Sequence, residues 1–300
     1  MDRFSTLTVF VAVGEEQSFS AAARRLALSP PAVTRAVGAL EQRLGIQLLQ
    51  RTTRIVRLTE AGARYLLDCK RILSELDDAD QALSGAQAEV RGTLAVTASV
   101  LFGRSFVAPL LHAFLERHPK VNLRALFVDR VVDLIEEGID VAVRIAHLAD
   151  ASFSAIRVGA VRNVVCASPA YLKRHGVPRT PADLQERSAL CFSADRSAPA
   201  WSFQVGKRTH SVRPRARLIV NSPEVAMQGA IAGEGLTRVL SYQAASAVKA
   251  GRLRVILREF EPEPIPIHVI HREGKRAAAR VRAFVDFAVA ELRDNPLLEP

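Results

Sequence analysis

The sequence predicts an α/β protein in which a small helical module at the amino terminus is joined by one long helix to a larger domain of alternating strands and helices. Three observations carry this expectation. Val33, Val37, Leu40 and Leu44 recur at spacings of four, three and four, the stripe of a short amphipathic helix. Tyr65, Cys69, Ile72, Leu76, Ala79 and Leu83 keep the same spacing over a longer stretch. From Val90 onward short apolar runs alternate with helical patterns, as α/β sheets do. A chain of 300 residues, 49% of them hydrophobic, accommodates about two domains and a connector.

In the first module, Ser20 is placed to cap the amides of Ala22 and Ala23, which predicts a helix running on small residues to Leu26. Ser29 is a second capping serine. Pro30 and Pro31 follow it at first-turn positions, where a missing N–H costs little. The second helix therefore starts at about Pro30, buries its stripe and leaves Thr34, Arg35 and Gly38 outside. Gly45 ends it as a residue free to adopt positive φ. Residues 46–49 and 55–58 then pair as two strands around Arg51, Thr52, Thr53 and Arg54. The whole reads as a winged helix-turn-helix, with Arg35 aimed at base edges and Arg51 and Arg54 at phosphate.

Charge supports this reading over a helical hairpin with a merely solvated basic face. Residues 20–64 hold eight basic and two acidic residues, whereas 68–89 hold two and six. A phosphate-facing module followed by a solvent-facing connector produces such a reversal. The formal net charge of +10 lies elsewhere, since residues 1–90 balance at eleven of each sign and 91–300 carry thirty basic against twenty acidic. That excess favours an anionic small-molecule ligand, solvated arginines being the alternative.

The long helix spans 59–89 with Thr59 as its N-cap. Its apolar seam of Tyr65, Cys69, Ile72, Leu76 and Leu83 is narrow, flanked by Asp68, Glu75, Asp77, Asp78 and Asp80. A second copy of the helix fits such a seam better than the protein's own domain does. A dimer presents two recognition helices to one side of a duplex, hence a two-fold, interrupted inverted repeat.

Beyond Val90 the patterns predict strands at 93–98, 121–128 and 141–145, a helix at 102–117 and a short helix at 131–137. An extended run at 155–167 leads to a helix restarting at Pro169. Strands at 217–220, 236–240 and 265–270 and helices at 223–232 and 276–293 come after it, the last burying Val281, Phe284, Val285, Ala288 and Leu292. Largely parallel strands are expected. Ligands in such folds gather at the carboxyl ends of strands and near helix N-termini. Ser99, Asp129, His147 and Ser222 occupy those places, with Trp201 as wall and Arg144 as charge partner. Ser99 and Ser222 also read as ordinary caps, Trp201 as core and Arg144 as a surface residue.

The run from Phe19 through Gly62, with its FSAAA, SPPAVTR, LEQRLG, LLQRTTR and LTEAG segments, resembles the DNA-binding head of LysR-type transcriptional regulators. DRVVDLIEEGIDVAVRIAHL, ASPAYL, WSF and AGEGLTRVLSYQ resemble that family's effector domain, a two-lobed α/β domain resembling a periplasmic binding protein with two crossing strands. The resemblance implies a winged helix-turn-helix at 1–58, a linker and dimerisation helix at 59–89 and an effector-binding domain at 90–300. Lobe I covers about 90–162 and 269–300, and lobe II about 163–268. It implies binding of double-stranded promoter DNA around Ser29, Pro30, Pro31, Thr34, Arg35, Arg51, Thr52 and Arg54. A small-molecule effector, a homodimer or homotetramer, and contact with RNA polymerase if the output is activation are also implied. Pro30 stands where relatives usually carry glutamine, so base reading by that side chain does not transfer. Leu49 replaces a common phenylalanine, Ala27 a turn residue that is often Gly or Asn, and Ala146 a glycine beside the cleft.

Other classes find little support. Cys69, Cys166 and Cys191 form no CxxC pair, which suits a reducing cytoplasm, with a Cys166–Cys191 redox switch as the outside alternative. No apolar stretch approaches membrane-spanning length and no basic leader precedes Leu7, so the chain is read as neither secreted nor membrane-spanning. Gly233-Glu234-Gly235 follows a helix and has Arg238 where a dinucleotide fingerprint needs its third glycine. His268 and His271 point to opposite faces of a strand and cannot share a metal. Arg213, Arg215 and Arg217 share a strand face as a solvated edge or a second anion patch. No cofactor or metal is expected. The competing reading is a cytoplasmic small-molecule-binding or salvage enzyme carrying a regulatory DNA-binding head.

Overall fold

The computed structural model describes residues 1–51, 56–83, 90–148, 153–193, 197–271 and 277–299. The chain divides into two compact units, one holding Met1–Gly92 and the other most of residues 93–300.

In the first unit, α1 (Arg3–Glu16) starts on Asp2, whose carboxylate accepts the Ser5 amide at 2.9 Å. The next helix, α2 (Phe19–Arg25), opens on Ser18, whose Oγ accepts the Ala21 N–H at 3.2 Å. Ser20 is therefore not the cap. Ser18 holds the extended backbone a cap needs, and Ser20 already lies inside the first turn. Ala27 turns the chain at φ 53°, a left-handed conformation that costs a residue with a Cβ about 1 kcal/mol.

The helix α3 (Pro30–Leu44) is capped by Ser29 and closed by Gly45 at φ 68°. Val33, Ala36, Val37 and Leu40 are buried, but Leu44 is 40% exposed, because Leu48 and Leu49 from the following segment fill the core at that end. Glu41 holds this segment, its Oε1 accepting the amides of Leu48 and Leu49 at 2.9 and 3.0 Å. The wing consists of β1 (Leu49–Arg51) and β2 (Val56–Leu58), antiparallel with Leu49 opposite Leu58. Its first strand starts later than the expected residue 46, since that stretch is held through Glu41 instead.

Thr59 begins α4 (Glu60–Leu83), its Oγ1 accepting the Gly62 N–H at 2.9 Å and donating to the Gln47 carbonyl at 2.8 Å. The expected continuation to residue 89 lies outside the described residues, as does the side chain of Leu83. The seam reading needs correction at its first two positions. Cys69 is fully buried in the head's own core, and Tyr65 packs there with its ring 5.7 Å from Phe10. The first turns of the stripe are covered by α1, leaving Ile72 and Leu76, with Leu67, exposed.

The second unit starts with β3 (Gly92–Ala98), followed by α5 (Val100–Phe102), a π-helical turn at Gly103–Val107 and α6 (Ala108–Arg117). Next come β4 (Val121–Phe127), β5 (Val141–Ile145), β6 (Ser154–Val161) and β7 (Asn163–Ala167). Residues 131–137 contain no helix. Val131 is 95% exposed, and the Ile139 amide donates to the Leu134 carbonyl to close a turn in which Gly138 takes φ 62°.

After these stand α7 (Pro169–His175), β8 (Ser188–Phe192), β9 (Trp201–Val205), β10 (Arg208–Val212), β11 (Arg215–Val220) and α8 (Pro223–Ile231). The chain finishes with β12 (Thr237–Leu240), α9 (Ser241–Lys249), β13 (Arg254–Ile256), β14 (Ile265–His271) and α10 (Ala279–Arg293). One sheet has the order β4-β3-β5-β14-β6 and a second β12-β7-β13, with β11-β8 and β10-β9 as further pairs. Among the pairings whose register is described, β3 with β5 and β8 with β11 run parallel. The returning β14 runs against both β5 and β6, and β7 against β12 and β13. Strands that cross between sheets bring this antiparallel pairing. Because all of β14 belongs to the first sheet, the return into lobe I occurs at Ile265, ahead of residue 269. Val281, Phe284, Val285, Ala288 and Leu292 form the buried face of α10.

Gly62 is the tightest junction of the head, since a methyl group there would overlap the Leu48 carbonyl. Gly62→Ala should destabilise the head by about 2–3 kcal/mol. Urea denaturation of the full chain measures this, and an unchanged midpoint would contradict the close approach of α4 and the wing.

Candidate functional site

On α3 the residues outside the buried stripe form one continuous exposed face of Ser29, Pro30, Pro31, Thr34 and Arg35. The Thr34 hydroxyl donates to the Pro30 carbonyl at 3.0 Å, which settles its rotamer. Arg35 makes no ion pair among the described residues. Arg25, by contrast, is engaged inside the head, 2.7 Å from Glu15 and 3.3 Å from Glu16, and Lys70 lies 2.6 Å from Glu15. Thr52 and Arg54, with the side chain of Arg51, lie outside the described residues.

The second unit contains a cleft of about 410 Å³. Its apolar wall is Val100, Leu101, Phe127, Phe192 and Pro223, and its polar groups are Asp129, Arg130, Asn221, Ser222 and Glu224. Asp129 follows β4, and its Oδ1 accepts the Val100 N–H, the first amide of α5, at 3.0 Å. The Ser99 backbone has cap geometry, yet its hydroxyl makes no cap bond and instead meets the Tyr242 hydroxyl. Burial pushes the Tyr242 phenol up to about 12, and its ring stands edge-on to Phe102 and Phe106 at 5.5 and 5.4 Å. Ser222 caps α8, its Oγ accepting the Val225 N–H at 3.4 Å. Arg104, on the π-helical turn, reaches Glu224 at 3.3 Å. Gly103 lets the Phe127 ring lie close, for a methyl group there would be 2.5 Å from it.

Of the expected cleft residues, Asp129 and Ser222 line it and Ser99 stands just behind Val100. Trp201 does not. It is 3% exposed in the lobe II core with Phe203, because the two-residue period of β9 turns both inward. Arg144 is half-buried and donates to Thr97 Oγ1 at 3.1 Å, and His147 is exposed beyond β5; neither lines the cleft. Ala146 also lies off the lining, so its methyl does not narrow the cleft. Phe127 and Phe192 escaped the sequence reading. Each ends a strand, but β8 was not expected, so the strand-end rule did not reach Phe192.

Gly233, at φ 82°, and Gly235, against the Ser188 carbonyl, form the turn from α8 to β12. Arg213, Arg215 and Arg217 are exposed. Burial, and next the neighbouring Arg157 guanidinium, lower the His268 pKa. No described helix is long and apolar enough to cross a membrane.

Residues 4–63 match the family described as bacterial regulatory helix-turn-helix protein, lysR family, and residues 87–293 match the LysR substrate binding domain. A transcriptional repressor of Pseudomonas aeruginosa is 32% identical over all of this chain and 95% of its own length. The transcriptional activator AaeR of Escherichia coli is 31% identical over 95% of this chain and 93% of its own. Among solved structures, the LysR-type regulator CrgA from Neisseria meningitidis superposes with a TM-score of 0.61 at 32% identity, covering 97% of this chain and 99% of that one.

The cysteines are free and buried, Cys166 and Cys191 in different core clusters rather than as a redox pair. Burial pushes Cys166 up to about 12, Cys69 up to about 11, and Cys191 upward as well. Since the thiolate is the reactive species, a thiol reagent at about pH 8 should modify the native protein slowly and all three cysteines quickly after unfolding. Rapid native modification of any one of them would contradict this burial.

Proposed function

This chain belongs to the LysR family of transcriptional regulators, and we propose that its promoter contacts centre on Arg35 and that an effector bound in the lobe cleft controls them. It is a DNA-binding regulator with a substrate-binding domain. The observation that supports the DNA reading most directly is the exposed face of α3, where Arg35 stands without a carboxylate partner among the described residues while the apolar face is sealed in the core. Pro30, in the glutamine position of relatives, supplies no base-reading hydrogen bond, which concentrates direct readout on Arg35 and Thr34.

The protein acts as a homodimer in the cytoplasm, binding its effector without turning it over. Ile72 and Leu76, two of the exposed apolar residues of α4 among the described residues, are the ones that a second copy covers. Effector binding changes the relation of the two lobes and, through α4, the spacing of two heads on an inverted repeat. If the output is activation, RNA polymerase is a further partner.

Arg35→Ala should lose about 1–3 kcal/mol of affinity for the specific site, with little change on random DNA. Electrophoretic mobility shifts on both DNAs test it, and equal affinity on the specific site would remove Arg35 from base readout. Leu76→Glu places a charge in the dimer seam and should give monomers in sedimentation. A dimer that binds the full operator normally would show that α4 is not the interface.

A further inference from the structure

The cleft carries its own carboxylate, that of Asp129, at the helix N-terminus beyond Ser99. Helix amides beyond Ser99 suit an anionic effector only if they are open, and the Val100 amide is taken by Asp129 Oδ1 at 3.0 Å. The Gly103 amide is likewise taken, by the Ser99 carbonyl at 2.7 Å. The neighbouring cations are engaged as well. Arg104 reaches Glu224 at 3.3 Å, and the Arg130 guanidinium donates to the Val131 carbonyl at 3.3 Å. The second oxygen of Asp129 accepts no hydrogen bond among the described residues. A carboxylate oxygen is left as an open acceptor in a cleft walled by two aromatic rings, Phe127 and Phe192.

Resting on the reading of this cleft as the effector site, we infer that it takes a small cationic amine with an aromatic body, its ammonium held by Asp129 and its body between the walls of Phe127 and Phe192. A carboxylate and aromatic faces are the complementary partners of an ammonium, the first by a charge-assisted hydrogen bond and the second through the ring quadrupole. The cleft volume of about 410 Å³ suits a ligand of that size. Gly103 fixes one wall by allowing the Phe127 ring to approach the π-helical turn. The basic excess of residues 91–300 does not decide the ligand's sign, because it is spread over a surface and the cleft is local.

Phenethylamine, hydrocinnamate and phenethyl alcohol present the same aromatic frame with a positive, a negative and a neutral head. Calorimetric titration of the full-length protein with each should find the amine bound about tenfold more tightly than either of the others. Asp129→Asn keeps an oxygen for the Val100 amide but removes the charge, and should weaken the amine about tenfold while leaving the alcohol unchanged. Phe192→Ala should weaken all three. Tighter binding of hydrocinnamate, lost in Phe192→Ala, would overturn the cationic class and keep the cleft as the effector site. Binding of the amine that neither substitution alters, or no binding by any of the three, would overturn both.

Discussion

Arg162 stands where the chain leaves the five-stranded sheet for the second lobe, and its guanidinium meets Glu261, on the segment returning from that lobe, at 2.7 Å. The Arg162 amide also donates to Ser241 Oγ at 3.1 Å, and the Ser241 amide donates to the Arg162 carbonyl at 2.8 Å. Both passages between the lobes are thereby tied to one point. Glu261 is only 10% exposed, and a carboxylate so buried is tolerated because a cation faces it. The cleft depends on this tie. Its walls come from opposite lobes, Val100 and Asp129 from one and Phe192 and Ser222 from the other, and two chain crossings held together fix how those walls face each other.

Within the cleft two ion-containing contacts differ in place and therefore in use. The Asp129–Val100 bond, 3.0 Å long, is charge-assisted and local to one lobe. It sets the start of α5 whether or not a ligand is present. Arg104 and Glu224 face each other from different lobes with side chains 62% and 41% exposed. Solvent reduces such a pair to less than about 1 kcal/mol. A solvent-screened tie across the mouth and a contact kept within one lobe allow the lobes to adjust around a ligand without remaking the binding group.

What the sequence disclosed was whatever is decided within a few residues. Ser29 and Thr59 cap their helices, Gly45 closes α3, and the α10 face is buried as its spacing requires, because capping and periodicity are local. The same signals failed when the answer depended on a distant partner. Periodicity shows that Tyr65 and Cys69 are covered but not by what, and α1 rather than a second copy covers them. The inward turn of Trp201 depends on which face of β9 meets the lobe II core, and the antiparallel course of β14 depends on a return from another lobe. Ser18 and Ser20 are equally good caps by composition, and only backbone geometry separates them.

Charge counting shows the same limit in the head. The eight basic residues between 20 and 64 read as a DNA-facing set, yet Arg25 is committed to Glu15 and Glu16. Lys70 of α4 reaches that same Glu15, so one carboxylate of α1 ties α2 and α4 to it. For Glu15, burial alone would raise the pKa, but the hydrogen bonds from Lys70 and Arg25 outweigh it and the pKa is lowered. A guanidinium engaged this way ties α2 to α1, the two helices against which α3 packs. Affinity for the DNA backbone scales with the cations that actually replace counterions. The charge that counts is therefore what remains on the exposed face once the cations that hold the helices together are set aside, and it is smaller than the formal sum along the segment.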